Sequence, residues 1–229
     1  MHHDFWHERW HKGEIGFHQN EVNSCLLKYW DALAVPDTGT VFVPLCGKSA
    51  DMILLRRRGH PVLGVELSMI AAQSFFAENG ATPHATTLGD FECLENDGIN
   101  LLCGDFFALR AEDLALVSAV YDRAALVALP PEMRREYAAH MARILPPETQ
   151  MLLIVMEYPQ PERKGPPFAV ALDEVRALYG AAAAIEVLES RDVLDANPRF
   201  KQQGLTRMWE HVLRLRFEKD RPSEICHWR

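Results

Sequence analysis

From residue 40 onward the chain alternates short runs that are apolar at every position with stretches whose apolar residues recur at helical spacing. The apolar runs are TVFVPL (40–45), HPVLGVE (60–66), INLLCGD (99–105), LVSAVYD (116–122) and QMLLIVMEY (150–158). A strand apolar on both faces is covered on both faces, which calls for helices above and below the sheet and for parallel strands joined by crossovers. The intervening segments supply those helices. One is expected over about 49–58, a second from an N-cap at Ser68 through MIAAQSFFAENG to Gly80, and a third opened by Pro131 in PEMRREYAAHMARIL. The fold class is therefore α/β, doubly wound, with helices on both faces.

The end of the chain breaks the alternation. AIEVLESRDVL (184–194) and LTRMWEHVLRLRF (205–217) are separated only by DANPRFKQQG, too short for a helical crossover, so they are expected to pair as an antiparallel hairpin at the end of the sheet. With the five apolar runs this makes a mostly parallel seven-stranded sheet. Residues 81–98 hold no clear helix and leave room for a small edge strand around Thr86 to Phe91. YPQPERKGPPF (158–168) reads as a stiff proline-rich loop, and residues 218–229 as a charged, frayed tail beyond a single domain spanning 1–217.

Several function classes fall away on composition. Lys plus Arg numbers 24 against 32 for Asp plus Glu, a formal charge of −8 and the wrong sign for an extended nucleic-acid surface. Arg56, Arg57 and Arg58 form the tight basic run, but they sit before Gly59 at an expected helix end, where cations complement the macrodipole. No apolar run approaches the length needed to cross a bilayer, so no membrane is expected as a partner. Five scattered cysteines without a Cys-x-x-Cys pair argue against a disulfide framework and a zinc ribbon. His3, His7 and His11 recur every four residues, yet no Cys or acid completes a metal set. The N-terminus has no secretory pattern, so a cytoplasmic protein is expected, by default a monomer.

In an open α/β sheet, ligands bind beyond the carboxyl ends of the strands. VFVPLCGKSADM (41–52) ends the first strand and superficially resembles a phosphate loop, but Phe42 stands where that loop needs its first glycine. Glu66 ends the second strand, nineteen residues after Gly47, where an acid can accept hydrogen bonds from both ribose hydroxyls of a nucleoside. One glycine in place of three suits a nucleoside cofactor without phosphates, and S-adenosylmethionine fits that description. A plain alternative is that Gly47 makes only a tight turn and Glu66 is a solvated strand end. Asp105 and Phe106 follow the third strand, where an adenine would meet a polar group and a ring; Asp122 and Arg123 end the fourth, placed at the mouth.

With those residues assembled, the sequence resembles the thiopurine S-methyltransferase family from its N-terminus to about Phe217. The matches are FWHERWHKGEIGFHQ (5–19), VFVPLCGKSADM with GHPVLGVE, YDRAALVAL (121–129) and GPPF (165–168). The resemblance implies a class I, Rossmann-like methyltransferase fold that moves a methyl group from S-adenosylmethionine to the sulfur of a thiopurine or aromatic thiol, and in bacterial members also to selenium or tellurium species. It implies cofactor contacts at Trp6, Trp10, Leu45, Gly47, Glu66, Asp105, Phe106 and Arg123, and substrate contacts at Phe17, Arg123 and Pro167. Lys48 and Ser49 then start a helix and are not phosphate ligands.

Arg123 is expected to favour the ionised acceptor and orient it, a catalytic role. Its alternative is to tie down the cofactor carboxylate or to pair with Asp122. Trp6 and Trp10, four residues apart, are either ordinary helix packing or part of an N-terminal lid over about 1–30, where aromatic faces would attract a sulfonium. Two other readings stay in play: a non-catalytic S-adenosylmethionine-binding protein of the same fold, and an NAD-type oxidoreductase, disfavoured by the missing glycines.

Overall fold

The structure is a computed structural model that describes residues 3–15, 18, 19 and 21–218. Helices α1 (His3–Lys12) and α2 (Ser24–Tyr29) precede the sheet. Then follow β1 (Thr40–Val43), α3 (Asp51–Arg57), β2 (Val62–Glu66), α4 (Met69–Glu78), β3 (His84–Leu88), β4 (Phe91–Asn96) and β5 (Ile99–Cys103). The second half comprises β6 (Val117–Arg123), α5 (Pro131–Ile144), β7 (Gln150–Glu157), α6 (Leu172–Tyr179), β8 (Ala183–Asp192), α7 (Pro198–Gln202) and β9 (Trp209–Phe217).

The strands form one sheet in the order β3-β4-β5-β2-β1-β6-β7-β9-β8. The five central strands, β5-β2-β1-β6-β7, are parallel. Strand alternation divides the core between the two faces. Phe42 turns toward α5 and α6, with Val120, Tyr137, Met141 and Tyr179, whereas Val41 and Val43 turn toward α2, α3 and α4, with Leu26, Trp30, Met52 and Phe75. That two-sided burial is why the central strands are apolar throughout. The C-terminal hairpin pairs antiparallel, as expected, with β9 inserted between β7 and β8.

The strand count is corrected from seven to nine. Residues 84–96 form a complete hairpin, β3 and β4, joined antiparallel to β5, rather than one edge strand at 86–91. The stretch proposed for that strand spans the Leu88–Phe91 turn. Every residue of β3 is exposed, so it carries no apolar alternation to read. The second turn, Asp97-Gly98 between β4 and β5, is a two-residue hairpin signal that is present in the sequence. DANPRFKQQG, expected as a plain loop, contains the short helix α7. Ser68 does stand at the N-cap of α4, but its hydroxyl caps nothing; its backbone N–H instead donates to Glu66 Oε1 at 2.8 Å.

The carboxyl ends of β1, β2, β5, β6 and β7 lie along one edge of the sheet. Chain order reverses there, since β2 and β5 lie on one side of β1 and β6 on the other. A crevice therefore opens at the β1/β6 boundary.

Candidate active site

A cavity of about 670 Å³ occupies that crevice, within the size range of small-molecule sites. A smaller lobe of about 40 Å³ shares Trp6, Leu45, Leu67 and Leu129 with it. At one end Glu66, 6% exposed, is held by main chain alone: Oε2 accepts the Gly47 N–H at 2.9 Å and Oε1 accepts the Ser68 N–H at 2.8 Å. Burial pushes its carboxyl up to about 7, against the pull of those N–H groups. A carboxylate has about four acceptor positions, so capacity remains for two hydroxyl donors. The cradle fits a ribose.

Gly47 has φ 53, and a Cβ there would come within 3.3 Å of Trp10 Cζ2. The turn thus needs glycine twice, for its backbone and for the indole that lies against it. Trp10 is 7% exposed, and Trp6, Arg9 and Trp10 all line the cavity, so α1 forms one wall of it. Burial and the nearby Glu66 hold the Cys46 thiol well above its ordinary pKa, which removes it as a nucleophile. Lys48 turns to Glu78 at 2.5 Å.

Arg123, the last residue of β6, lies two strands from Glu66, roughly 10 Å across the sheet. Strand alternation sends Asp122 and Arg123 to opposite faces, which corrects the expectation that both stand at the mouth. Asp122 is fully buried and accepts from Tyr137 Oη at 2.8 Å and the Leu126 N–H at 3.2 Å. Burial pushes its carboxyl up to about 6, and it does not pair with Arg123.

The partner of Arg123 is Asp51, a residue that sequence reasoning missed. Asp51 Oδ2 lies 3.7 Å from Arg123 Nη1 and accepts the Tyr121 hydroxyl at 2.9 Å, while Oδ1 accepts the Asn23 N–H at 2.7 Å. Arg123 Nη2 also donates to the Gln19 side chain. An acid in the first turn of α3 was readable as a helix-dipole partner. Its contact with Arg123, across 72 residues of chain, had no local signal.

Beyond Arg123 the wall is built by the loop after β7 and by α7. Pro167 lines the cavity, and its carbonyl accepts from Tyr158 Oη at 2.5 Å. Phe200 of α7, also absent from the sequence reading, lines it as well. Trp6, Trp10, Leu45, Gly47, Glu66, Arg123 and Pro167 are therefore brought together. Asp105 and Phe106 line the smaller lobe. Asp105 accepts the Phe107 N–H at 2.9 Å and faces His3 at 3.5 Å. The Phe106 ring, expected beside an adenine face, is only 4% exposed and packs on Tyr137 at 4.7 Å between centroids. Phe17 lies outside the described residues.

A family model described as Thiopurine S-methyltransferase matches residues 1–218. The chain belongs to the thiopurine S-methyltransferase family. A thiopurine S-methyltransferase from Nitrosospira multiformis is 53% identical over 212 residues, covering 93% of this chain and 96% of the relative. One from Pseudomonas fluorescens is 51% identical over 211 residues, covering 92% and 97%. Among solved structures, the 1,6-didemethyltoxoflavin-N1-methyltransferase of Burkholderia thailandensis, with bound S-adenosylhomocysteine, superposes with a TM-score of 0.64 over 95% of this chain and 87% of that one. At 16% identity that likeness concerns the fold, a class I methyltransferase fold. The family membership and the fold agree with the expectations from sequence, and the cavity lies where such a fold binds its ligands.

Proposed function

We propose that this protein transfers the methyl group of S-adenosylmethionine to the sulfur of thiopurines and aromatic thiols. The observation that carries the reading is Glu66 and Arg123 facing one cavity from strand tips two apart, in a chain of this family. When bound, S-adenosylmethionine supplies an electrophilic methyl on a sulfonium sulfur and departs as S-adenosylhomocysteine. Glu66 would accept the ribose hydroxyls, and the Gly47 turn, whose N–H holds that carboxylate, would keep it in place beside Trp10. Trp6 and Trp10 close the cavity from α1, shedding water and offering aromatic faces to a cation, worth roughly 0.5–2 kcal/mol.

Arg123 favours the thiolate over the thiol and points its sulfur at the methyl carbon. With the cofactor bound, the thiolate held by Arg123 would supply the electron pair that accepts the methyl group, its proton having left to water. Holding two reactants in line in this way supplies up to about 7–11 kcal/mol of the barrier reduction, so no general base is required. The residue roles, the lid over about 1–30, a cytoplasmic location, a monomeric state and activity on selenium or tellurium species belong to this proposal. The location is supported by free thiols at Cys25, Cys46, Cys93 and Cys103.

The test is mass spectrometry of products formed from 6-mercaptopurine, thiophenol and selenite with labelled S-adenosylmethionine. Methylated sulfur products are expected. A protein that binds S-adenosylhomocysteine but methylates no thiol would be a binding protein of this fold, and the proposal would fall.

A further inference from the structure

Among the described residues, five arginine and lysine side chains line the cavity: Arg9, Lys48, Arg123, Arg163 and Arg199. Arg9 faces Glu14 at 4.0 Å, Lys48 faces Glu78 at 2.5 Å and Arg123 faces Asp51 at 3.7 Å. Arg163 differs. Among the described residues no carboxylate lies within ion-pair distance of it. Its contacts are the Gln203 side-chain oxygen, the Pro166 carbonyl at 3.3 Å and the face of Phe200, 4.8 Å from guanidinium carbon to ring centroid. Its Nε–H is enclosed and meets no acceptor.

A guanidinium has five N–H donors, and here two of them reach acceptors of the chain. Its charge, half-buried against an aromatic ring, is answered by neutral oxygens only. The guanidinium lies over Phe200, and Nη1 and Nη2 each keep one N–H beyond the bond made to the chain, the pair of donors with which arginine recognises a carboxylate. The one acid on this side of the cavity among its lining residues, Glu210, is already engaged by Arg191 at 2.6 Å and does not compete.

The place of Arg163 assigns it to the acceptor. Arg123 pairs in register with Ile154 of β7, and Arg163 sits on the loop that follows β7, on the far side of Arg123 from Glu66. We propose that Arg163 is a specificity-determining residue that selects acceptors carrying a second anionic group, a carboxylate on the aromatic ring, in addition to the sulfur. The inference rests on the methyl-transfer reading of the cavity. Arg163 also joins the loop to α7, so the experiment must separate recognition from that structural tie.

The experiment measures binding of the two methylated products, 4-(methylthio)benzoate and thioanisole, to protein loaded with S-adenosylhomocysteine, by calorimetry. Wild-type protein is expected to bind the carboxylate compound about tenfold more tightly, the scale of one charge-assisted contact. Arg163→Gln is expected to bring the ratio to about one, and Arg163→Lys, which keeps the charge without the fork, to retain a few-fold preference. A wild-type ratio near one, a preference that survives Arg163→Gln, or equal weakening of both compounds by the variant would each overturn the proposal. Methyl transfer to 4-mercaptobenzoate and thiophenol is followed in parallel. If neither were methylated while the Arg163-dependent binding difference persisted, the transfer reading would fail and the anion site would stand.

Discussion

The two ends of the cavity are built by different means. At the β1/β2 end, Glu66 is fixed by the N–H groups of Gly47 and Ser68, so its position follows from the strand–turn–helix path of the main chain. At the β6/β7 end, Arg123 is fixed by side chains: Asp51, tied in turn to Tyr121 and to the backbone at Asn23, and Gln19. The first end is set by the fold, whereas the second depends on what three separate segments, the one before α2, α3 and β6, bring to it. On the proposed assignment, the nucleoside grip is set by the backbone and recognition of the acceptor is left to replaceable side chains.

The largest effect expected from this difference is at Glu66. Glu66→Gln keeps the shape but loses the charged acceptor and sets its own amide donors against a backbone N–H. Two charge-assisted hydrogen bonds are at stake, each worth about 1.5–3 kcal/mol, so S-adenosylhomocysteine affinity is expected to fall by about 100-fold or more. Calorimetry at pH 8 measures this directly. A loss under threefold would mean that the ribose is not held there.

Arg123→Ala comes next and tests the other end. The turnover number is expected to fall by about thirtyfold, one charged contact's worth, with the acid limb of its pH profile moved upward because the acceptor thiol loses its cationic neighbour. Cofactor affinity is expected to change far less than in Glu66→Gln. A rise in cofactor Kd with turnover intact would place Arg123 on the nucleoside side and erase the distinction. Asp51→Asn, which removes the charge behind Arg123 and turns one of two occupied acceptor oxygens into an amide donor, is expected to lower turnover in the same direction by about fivefold, or roughly 1 kcal/mol. The turnover number against pH separates it from a simple loss of stability.

This contrast also accounts for what was legible in the sequence. The β1 turn and Glu66 could be read because strand, glycine and acid occur at a spacing that main-chain geometry imposes. The parallel core was readable for the same reason, since each central strand is covered on both faces. Asp51, Arg163 and Phe200 had no such signature. Each reaches the cavity through tertiary placement of a helix or loop, and nothing local distinguishes it from an ordinary dipole partner, surface cation or loop aromatic. The β3–β4 hairpin was missed on other grounds: β3 packs nothing on either face, so hydrophobic periodicity is silent and only turn chemistry speaks.

The nucleoside end also has a pH signature of its own, read in cofactor binding where that of the acceptor end is read in turnover. Without cofactor the Glu66 carboxyl titrates near 7, raised by burial from an ordinary value of 4.5. The native state therefore binds more protons than the unfolded chain between those values, and this group's contribution makes stability fall as pH rises through that window. On the proposed assignment the ionised form is the stronger acceptor for the ribose hydroxyls, so cofactor binding below pH 7 is expected to release protons. Affinity for S-adenosylhomocysteine is expected to rise with pH by at most about tenfold per unit and to level off above 7. Calorimetry in two buffers of different ionisation enthalpy counts the proton, and Glu66→Gln is expected to abolish the release. A pH-independent wild-type affinity from 5.5 to 8 would remove Glu66 as the titrating group.

The smallest effect is expected at the turn itself. Gly47→Ala places a side chain at φ 53, a left-handed conformation that costs an L-residue roughly 1–2 kcal/mol, and puts a methyl 3.3 Å from Trp10. Gly80, which closes α4, has φ 66 with nothing within 4 Å of a would-be Cβ, so Gly80→Ala shares the backbone cost without the indole contact. Both variants are expected to lower the urea midpoint by a similar amount at unchanged m, about 1 kcal/mol in stability. Only Gly47→Ala is expected to weaken S-adenosylhomocysteine as well, by about threefold, because only there does the added methyl push on a cavity wall. Equal affinities in the two variants would mean that Trp10 can yield without disturbing the nucleoside end, and that this end is less rigid than its main-chain construction implies.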